Sequence, residues 1–490
     1  MTKNDYDDTC LRNGKQYKEA LRDNRELWVG GKRVEDVTQE PALGAGIDLI
    51  AETFDDQFED EYRDIITMKD PETGERVSRS WQVPTSVHDL EARRKLIEYT
   101  SLKTVGTYGR PVDLAPLVAL GLKAHKPLFE NSSPEFAKNN QDFADNIDKY
   151  FDYSKRNNLI AAEVLADPQN DRSGPSGATA GLLRVVAQEK DGIRISGAKS
   201  VCSIAAQADE ILFTNLLRPD FPPEACVWAA LPTAAEGVSM ICRPPVSSPG
   251  ADPFDHPIAY RGEEADQFIV FDNAFVPNDR VFNLGDPELL KYYGPVTVWA
   301  HWHILTRLRV KAEVFVGAAE LVARALGTHK FPAVRAQLAD LIEYAQALKA
   351  FIIAAENTAD MTVGGVLAPN MGMLTAGRLY SIQNYPRIIH TLQELCGQGL
   401  VMRFSKADFD NDVIGPLLDE LLPGYNVSAR EKNRLMNFVW DLTTDSLAGR
   451  VELFENVNAT PAPFLRERLF NEYPRDEMAT IARSLAGLND

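Results

Sequence analysis

The sequence predicts a mainly helical protein with a central β domain, laid out as a helical unit, an antiparallel β-barrel and a helical bundle. Three observations predict it. Up to Tyr153, apolar residues recur at three- and four-residue spacing, as in DLEARRKLIEYTSLKTVG. After Asn158, short β-rich runs alternate with turn residues. Beyond Phe282, long apolar stripes return at helical period. The expected units are residues 1–158, 159–283 and 284–490.

Within the middle unit, GLLRVVAQEKDGIRISGAKSV places β-rich runs on either side of Asp191-Gly192, a hairpin turn signal. EILFTNLL, ACVWAALP, GVSMICRP and DQFIVFDNAFVP follow as strands between Pro-, Gly- and Asp-rich turns. In the last unit, LTRLRVKAEVFVGAAELVARAL and VRAQLADLIEYAQALKAFIIAAENTA read as paired bundle helices. The second stripe is apolar over more than one face, which predicts packing against another subunit. TVGGVLAPNMG reads as an interior loop.

Composition narrows the function classes. A chain of 490 residues with 44% hydrophobic content can bury a large core. Its net charge of -19 opposes binding to nucleic acid or anionic membrane, so neither is expected as a partner. Cys10, Cys202, Cys226, Cys242 and Cys396 form no Cys-x-x-Cys pair, so neither a zinc site nor a disulfide framework is expected. The opening residues MTKNDYDDTC are polar and acidic, and no stretch of about 18 apolar residues follows, which predicts a cytoplasmic location. No strand-Gly-x-Gly-x-x-Gly-helix unit marks a nicotinamide site.

The polar stretch from Asp167 to Ser173 lies at the border of the helical and β units, where cofactors commonly sit and where plain linkers also occur. CGQGL sets Gly397 and Gly399 around Gln398, a pattern that lets backbone amides approach an anion or a ring, or that ends a helix. His301 and His303 stand two apart in WAHWHILTR; on a helix they point about 200° apart and would not share a metal ion, so no metal site is expected.

Several stretches together resemble one family. TYGRPVD, NIDKYFDYSKRNNL followed by LADPQNDRS, ISGAKSVCSIAAQADE, FDNAFVPNDRVF, YPRIIHTLQELCGQG and VWDLTTDSLAGRVELFE occur in order. They resemble the oxygenase component of 4-hydroxyphenylacetate 3-hydroxylase and its relatives, the chlorophenol and tyrosine hydroxylases. The resemblance implies an acyl-CoA dehydrogenase-like three-domain fold. It also implies a two-component flavin monooxygenase, in which a separate NAD(P)H:flavin reductase supplies FADH2. The bound flavin would react with O2 to a C4a-hydroperoxide and hydroxylate a phenol-like or nitrogen-containing aromatic molecule. A homotetramer or homodimer is expected.

Carried onto this sequence, the resemblance places Arg110, Gln169, Arg172, Lys199 and Ser203 at the flavin, with the Ser203 hydroxyl toward the flavin N5 region or its peroxide oxygen. It places Gly397, Gln398, Gly399, Ser446, Gly449 and Arg450 at the adenosine diphosphate end; Arg450 is also open to a structural ion pair.

The substrate end departs from the family. Phenol hydroxylases carry a Tyr four residues after the Gly-Arg arginine and a His five residues before the loop proline. Arg110 is present here, but Leu114 and Glu163 stand at the other two positions. Leu offers only apolar contact, whereas an ionised Glu accepts hydrogen bonds. Glu163 is open to roles as general base, as ligand for an ammonium or N–H group, or as ion-pair partner of Arg110. His301 or His303, with His303 preferred, could take over the base role.

Competing readings are a lyase of the 4-hydroxybutyryl-CoA dehydratase type, an acyl-CoA dehydrogenase proper, and a non-catalytic relative. The lyase needs cysteine ligands for an iron–sulfur cluster, and no cysteine lies between Cys10 and Cys202 or between Cys242 and Cys396.

Overall fold

The computed structural model describes residues 9–488 apart from 110–112, 131, 133, 139–141, 172, 175–178 and 219–220. Helices lead: α1 (Gly14–Ala20), α2 (Gly44–Asp55), α3 (Arg63–Ile66), α4 (Val87–Lys103), α5 (Ala115–Ala124) and α6 (Phe143–Arg156). Among them lie strands β1 (Glu26–Val29), β2 (Lys32–Arg33), β3 (Thr67–Lys69) and β4 (Arg76–Ser78). Capping boxes fix two helix starts, Asn13 with Gln16 and Ser86 with Asp89, by satisfying backbone N–H groups that the helix leaves open.

The central unit contains β5 (Ala161–Val164), β6 (Arg184–Gln188), β7 (Gly192–Ser203), β8 (Glu210–Thr214), β9 (Val227–Pro232), β10 (Val238–Cys242), β11 (Asp266–Pro277) and β12 (Val281–Leu284). They form a six-stranded sheet in the order β2-β1-β10-β11-β7-β6 and a four-stranded sheet in the order β12-β9-β8-β5. The hairpin at Asp191-Gly192 joins β6 to β7, with Gln188 opposite Ile193.

Two pairings depart from the antiparallel expectation: β1 runs parallel to β10, and β5 runs parallel to β8 with Glu163 opposite Leu212. Parallel neighbours need long crossover connections, and both strands are far from their partners in sequence. β1 and β2 also bring residues ahead of Asn158 into the central sheet.

The last unit opens with α7 (Pro287–Leu290), α8 (Tyr293–Val296), α9 (Val298–Ala325), α10 (Pro332–Asn357) and α11 (Met371–Cys396). It continues with α12 (Gln398–Val401), α13 (Lys406–Phe409), α14 (Gly415–Leu421), α15 (Ala429–Thr443), α16 (Ser446–Val457), α17 (Ala462–Glu472) and α18 (Arg475–Leu485). α9, α10 and α11 pack on one another. α10 buries Leu338, Leu341, Tyr344, Ala345, Leu348, Ile352 and Ala355 on one stripe and leaves Ile342 and Ile353 exposed on another face. Among the described residues, no helix is long and apolar enough to cross a membrane.

Candidate active site

Glu163 is the third residue of β5 and is half-buried. Its Oε1 accepts the Tyr293 hydroxyl at 2.8 Å. Tyr293 opens α8, and its ring lies 6.0 Å from that of Trp228 on β9. α8 is held against α5 because Gly121 has no side chain: a Cβ there would stand 1.8 Å from the Val296 carbonyl oxygen. Leu114, just ahead of α5, is buried. Nothing in the sequence had singled out Tyr293.

The loop beginning at Leu165 is tied down by Lys199. Its ammonium, fully buried on β7, donates to Leu165 O at 2.9 Å, Asp167 Oδ1 at 2.8 Å and Asn215 Oδ1 at 2.6 Å. Burial pulls the Lys199 pKa below the ordinary lysine value, and Asp167 opposes that shift. Asp167 also pairs with Arg218. Its three protons are committed to protein acceptors, so in this structure Lys199 anchors the loop that was expected to line the flavin. Gln169, in the same loop, is exposed.

Ser203, at the end of β7, donates to Asp266 Oδ1 at 2.6 Å. A hydroxyl has one proton, and this one is aimed at Asp266, leaving the Ser203 oxygen as an acceptor. Asp266 also binds Arg243, with Nε 2.6 Å from Oδ2, and Arg450, with Nε 2.9 Å from Oδ2. Burial would raise the Asp266 pKa, but Arg450 and Arg243 outweigh it and hold the carboxyl below its usual range.

Arg450 also reaches Glu264, which accepts the Gly109 backbone N–H. Its guanidinium lies 4.4 Å from the centre of the Phe454 ring. Of its two expected roles, the structure supports the ion pair: two buried carboxylates engage the group that a pyrophosphate would need.

The segments expected at the adenosine diphosphate end do meet. Gly397 closes α11 with a φ of +56°, and Gln393 Nε2 in the last turn of that helix donates to Thr443 O at 3.1 Å, just ahead of α16. Asp445 caps α16 by accepting the Leu447 N–H at 2.6 Å. Gln398, Ser446 and Gly449 are exposed, and neither Gly397 nor Gly449 has an atom within 4 Å of where a Cβ would be. The Gly397 N–H donates to Gln393 O and Glu394 O and the Gly449 N–H to Asp445 O, so what these two glycines offer an adenosine diphosphate group is room for close approach, not free amides.

The two histidines of α9 diverge, as their spacing requires. His301 Nδ1 lies 3.3 Å from Arg378 and its Nε2 lies 3.3 Å from Arg468. His303 is fully buried, with Nε2 3.1 Å from Asp113 Oδ1. The angle there makes no hydrogen bond, and among the described residues both His303 ring nitrogens and Asp113 Oδ2 are buried without a hydrogen-bond partner. Asp113 Oδ1 accepts from Thr100 Oγ1 at 3.2 Å. Buried orphan groups of this kind are uncommon and point to a functional role. Arg110 and Arg172 lie outside the described residues.

The described cysteines are free thiols. Among the described residues, the one group of three possible metal ligands within 4.8 Å of one another is His256, Asp441 and Asp445, and it includes no cysteine.

Comparison with known proteins bears on the whole chain. Residues 13–283 match the family model described as 4-hydroxyphenylacetate 3-hydroxylase N terminal, and residues 290–487 match the corresponding C-terminal model. The oxygenase component of a 4-nitrophenol 4-monooxygenase/4-nitrocatechol 2-monooxygenase from Rhodococcus opacus is 33% identical over 98% of this chain and 92% of that protein. An FADH2-dependent monooxygenase from Burkholderia cepacia is 33% identical over 92% of this chain and 87% of its own length. The crystal structure of a 4-hydroxyphenylacetate 3-monooxygenase oxygenase component, complexed with FAD and 4-hydroxyphenylacetate, superposes with a TM-score of 0.90. It is 29% identical, and the match covers 97% of this chain and 98% of that one.

Proposed function

This chain belongs to the 4-hydroxyphenylacetate 3-hydroxylase family, and we propose on that footing that its substrate is a small phenol-like or nitrogen-bearing aromatic, bound between β5, α5 and α8. The chain is the oxygenase component of a two-component FADH2-dependent monooxygenase that hydroxylates an aromatic substrate. The observation that carries this is the near-complete overlap, in sequence and in fold, with oxygenase components of that kind. A separate NAD(P)H:flavin reductase supplies the reduced cofactor.

When bound, reduced FAD supplies the electrons that activate dioxygen. The chain's own residues bind, orient and exclude water. Gly397, Gln398, Gly399, Ser446 and Gly449 hold the adenosine diphosphate end, supported by the exposure of all but half-buried Gly399 and by the adjacency of the two segments. Gln169 and Ser203 are assigned to the ring end, with Lys199 fixing the loop and Arg450 fixing Asp266 beside Ser203. Leu114 and Glu163 are assigned to the substrate, and His303, next to Asp113, is the candidate base. The family resemblance assigns Arg172 to the ring end and Arg110 to the substrate. The exposed apolar residues of the C-terminal helices, among them Val401, Leu421, Phe464 and Leu485, support assembly into a homotetramer or homodimer.

Chemically reduced FAD, 18O2 and a panel of phenols and anilines, with no reductase present, test the proposal. One labelled oxygen atom should enter a ring for each coupled turnover. Hydrogen peroxide alone across the panel, from protein that holds reduced FAD, would refute it.

A further inference from the structure

We propose that Asp266 holds the Ser203 hydroxyl as a hydrogen-bond acceptor toward the flavin ring, and so makes the site take reduced FAD in preference to oxidised FAD. The inference deepens the placement of Ser203 at the N5 region of the ring given above, and rests on it. Ser203 and Asp266 stand opposite each other in register across β7 and β11. The hydroxyl donates to Asp266 Oδ1 at 2.6 Å, and the neighbouring rung runs from Ile204 N to Ala265 O at 2.8 Å. A serine has a single hydroxyl proton, so with that proton on Asp266 its oxygen offers only lone pairs.

Asp266 is fixed in turn. Its Oδ1 accepts from Ser203 and from Arg450 Nη2, and its Oδ2 from Arg243 Nε at 2.6 Å and Arg450 Nε at 2.9 Å. Together these use the roughly four lone-pair sites of a carboxylate. Burial would raise its pKa, but Arg450 and Arg243 outweigh burial and keep the group ionised. A hydrogen bond to an ionised acceptor is roughly twice as strong as one to a neutral acceptor, so the serine proton stays on Asp266 rather than turning to a neutral ring nitrogen. The backbone bends to hold the pair. Val201 and Ile204, both β-branched, have φ of +53° and +66° on either side of Ser203, and the pairing of β7 with β11 shifts register between Gln267 and Ile269. Such residues are strained in that region, and strain of this kind gathers where a group must be held in place.

The two redox states of a flavin differ at the atom this oxygen would meet. Reduced FAD carries an N–H at N5, whereas oxidised FAD carries a lone pair there. The N–H completes a hydrogen bond to Ser203. The lone pair sets two acceptors against each other unless the serine gives up Asp266. The site thus rejects the wrong form as much as it attracts the right one. Ser203 acts on the cofactor directly, and Asp266 is a positioning residue that acts through it.

Anaerobic equilibrium titrations with reduced and with oxidised FAD give the ratio of the two dissociation constants. The parent protein should favour reduced FAD by about tenfold or more, and Ser203→Ala should lower that preference by about tenfold. Ser203→Thr, which keeps the hydroxyl, should retain it. Asp266→Asn, which releases the serine proton, should tighten the binding of oxidised FAD. For a two-electron couple, a tenfold fall in the ratio lowers the potential of the bound flavin by about 30 mV, so a potentiometric titration reads the same effect without turnover. Should Asp266→Asn fail to fold, the two Ser203 variants carry the test.

An unchanged ratio in Ser203→Ala would overturn the proposal and leave the oxygenase reading intact. So would equal affinity of the parent for both forms, a fall in Ser203→Thr as large as in Ser203→Ala, or unaltered affinity of folded Asp266→Asn for oxidised FAD. Failure of the parent to bind reduced FAD would instead remove the oxygenase reading, and this proposal with it.

Discussion

Lys311 shows what burial does to a single charge in this bundle. Its Nζ donates to the Tyr385 hydroxyl at 2.6 Å from a fully enclosed position on α9. Burial, assisted by the nearby Arg307 guanidinium, pushes its pKa down to about 7, against the opposing pull of Glu455 and Glu452. Between that value and the ordinary 10.5, the unfolded chain holds a proton that the folded chain has released. Stability should therefore rise with pH across this window, by at most about 1.4 kcal/mol per pH unit from this group. Thermal unfolding followed between about pH 7 and pH 9 should show the rise in the parent protein and lose it in Lys311→Met. A parallel slope in the variant would assign the effect to other groups.

The same scale shows what a sequence can and cannot tell about a site. Ser203, Lys199 and Arg450 were legible as residues near the centre because each lies in a stretch with family-like order. Asp167 stood in a stretch the sequence marked, but its pairing with Lys199 was not legible, nor were Asp266 and Glu264 as partners, since a pairing between residues distant in sequence carries no local signal until the fold brings them close. Tyr293 went unread for the same reason: 130 residues separate it from Glu163. A buried charge is tolerable only with a partner, so the useful question to ask of Arg450 was which carboxylate would neutralise it.

At the level of elements, contact between α5 and α8 sets the shape of the substrate end. Gly121→Ala would place a Cβ 1.8 Å from the Val296 oxygen and force the helices apart. A loss of about 1–3 kcal/mol of stability is expected from overpacking of this kind, together with a raised KM for the aromatic substrate as Tyr293 shifts. Gly317→Ala on α9 is the control, because nothing lies within 4 Å of the added atom; it should be neutral or slightly stabilising. Unfolding curves and steady-state kinetics on both variants check the expectation, and equal behaviour of the two would argue against a tight α5–α8 contact.

Helices and hairpins were the readable elements. Apolar residues at helical spacing gave α4, α9 and α10, and Asp191-Gly192 gave the β6–β7 hairpin, because each depends on residues close in sequence. The parallel placement of β1 beside β10, and of β5 beside β8, depends on long-range closure and left no such trace.

Across the whole molecule, the three-part order puts the central β sheets between two helical units, with the sites at their borders. Glu163 and Lys199 lie where the first unit meets the sheets, and Asp266 meets Arg450 where the sheets meet α16. The Gly397 and Ser446 segments meet inside the C-terminal unit and stay open. A cofactor spanning these places would hold the units together, so its binding should be the property most sensitive to whether the account is right. An oxygenase component supplied with reduced flavin by a separate reductase is expected to favour the reduced form. Anaerobic equilibrium titration of the protein with reduced FAD, compared with oxidised FAD under the same conditions, measures both. The account predicts one reduced FAD per chain, bound more tightly than the oxidised form; no binding of reduced FAD, or a clear preference for oxidised FAD, would contradict it.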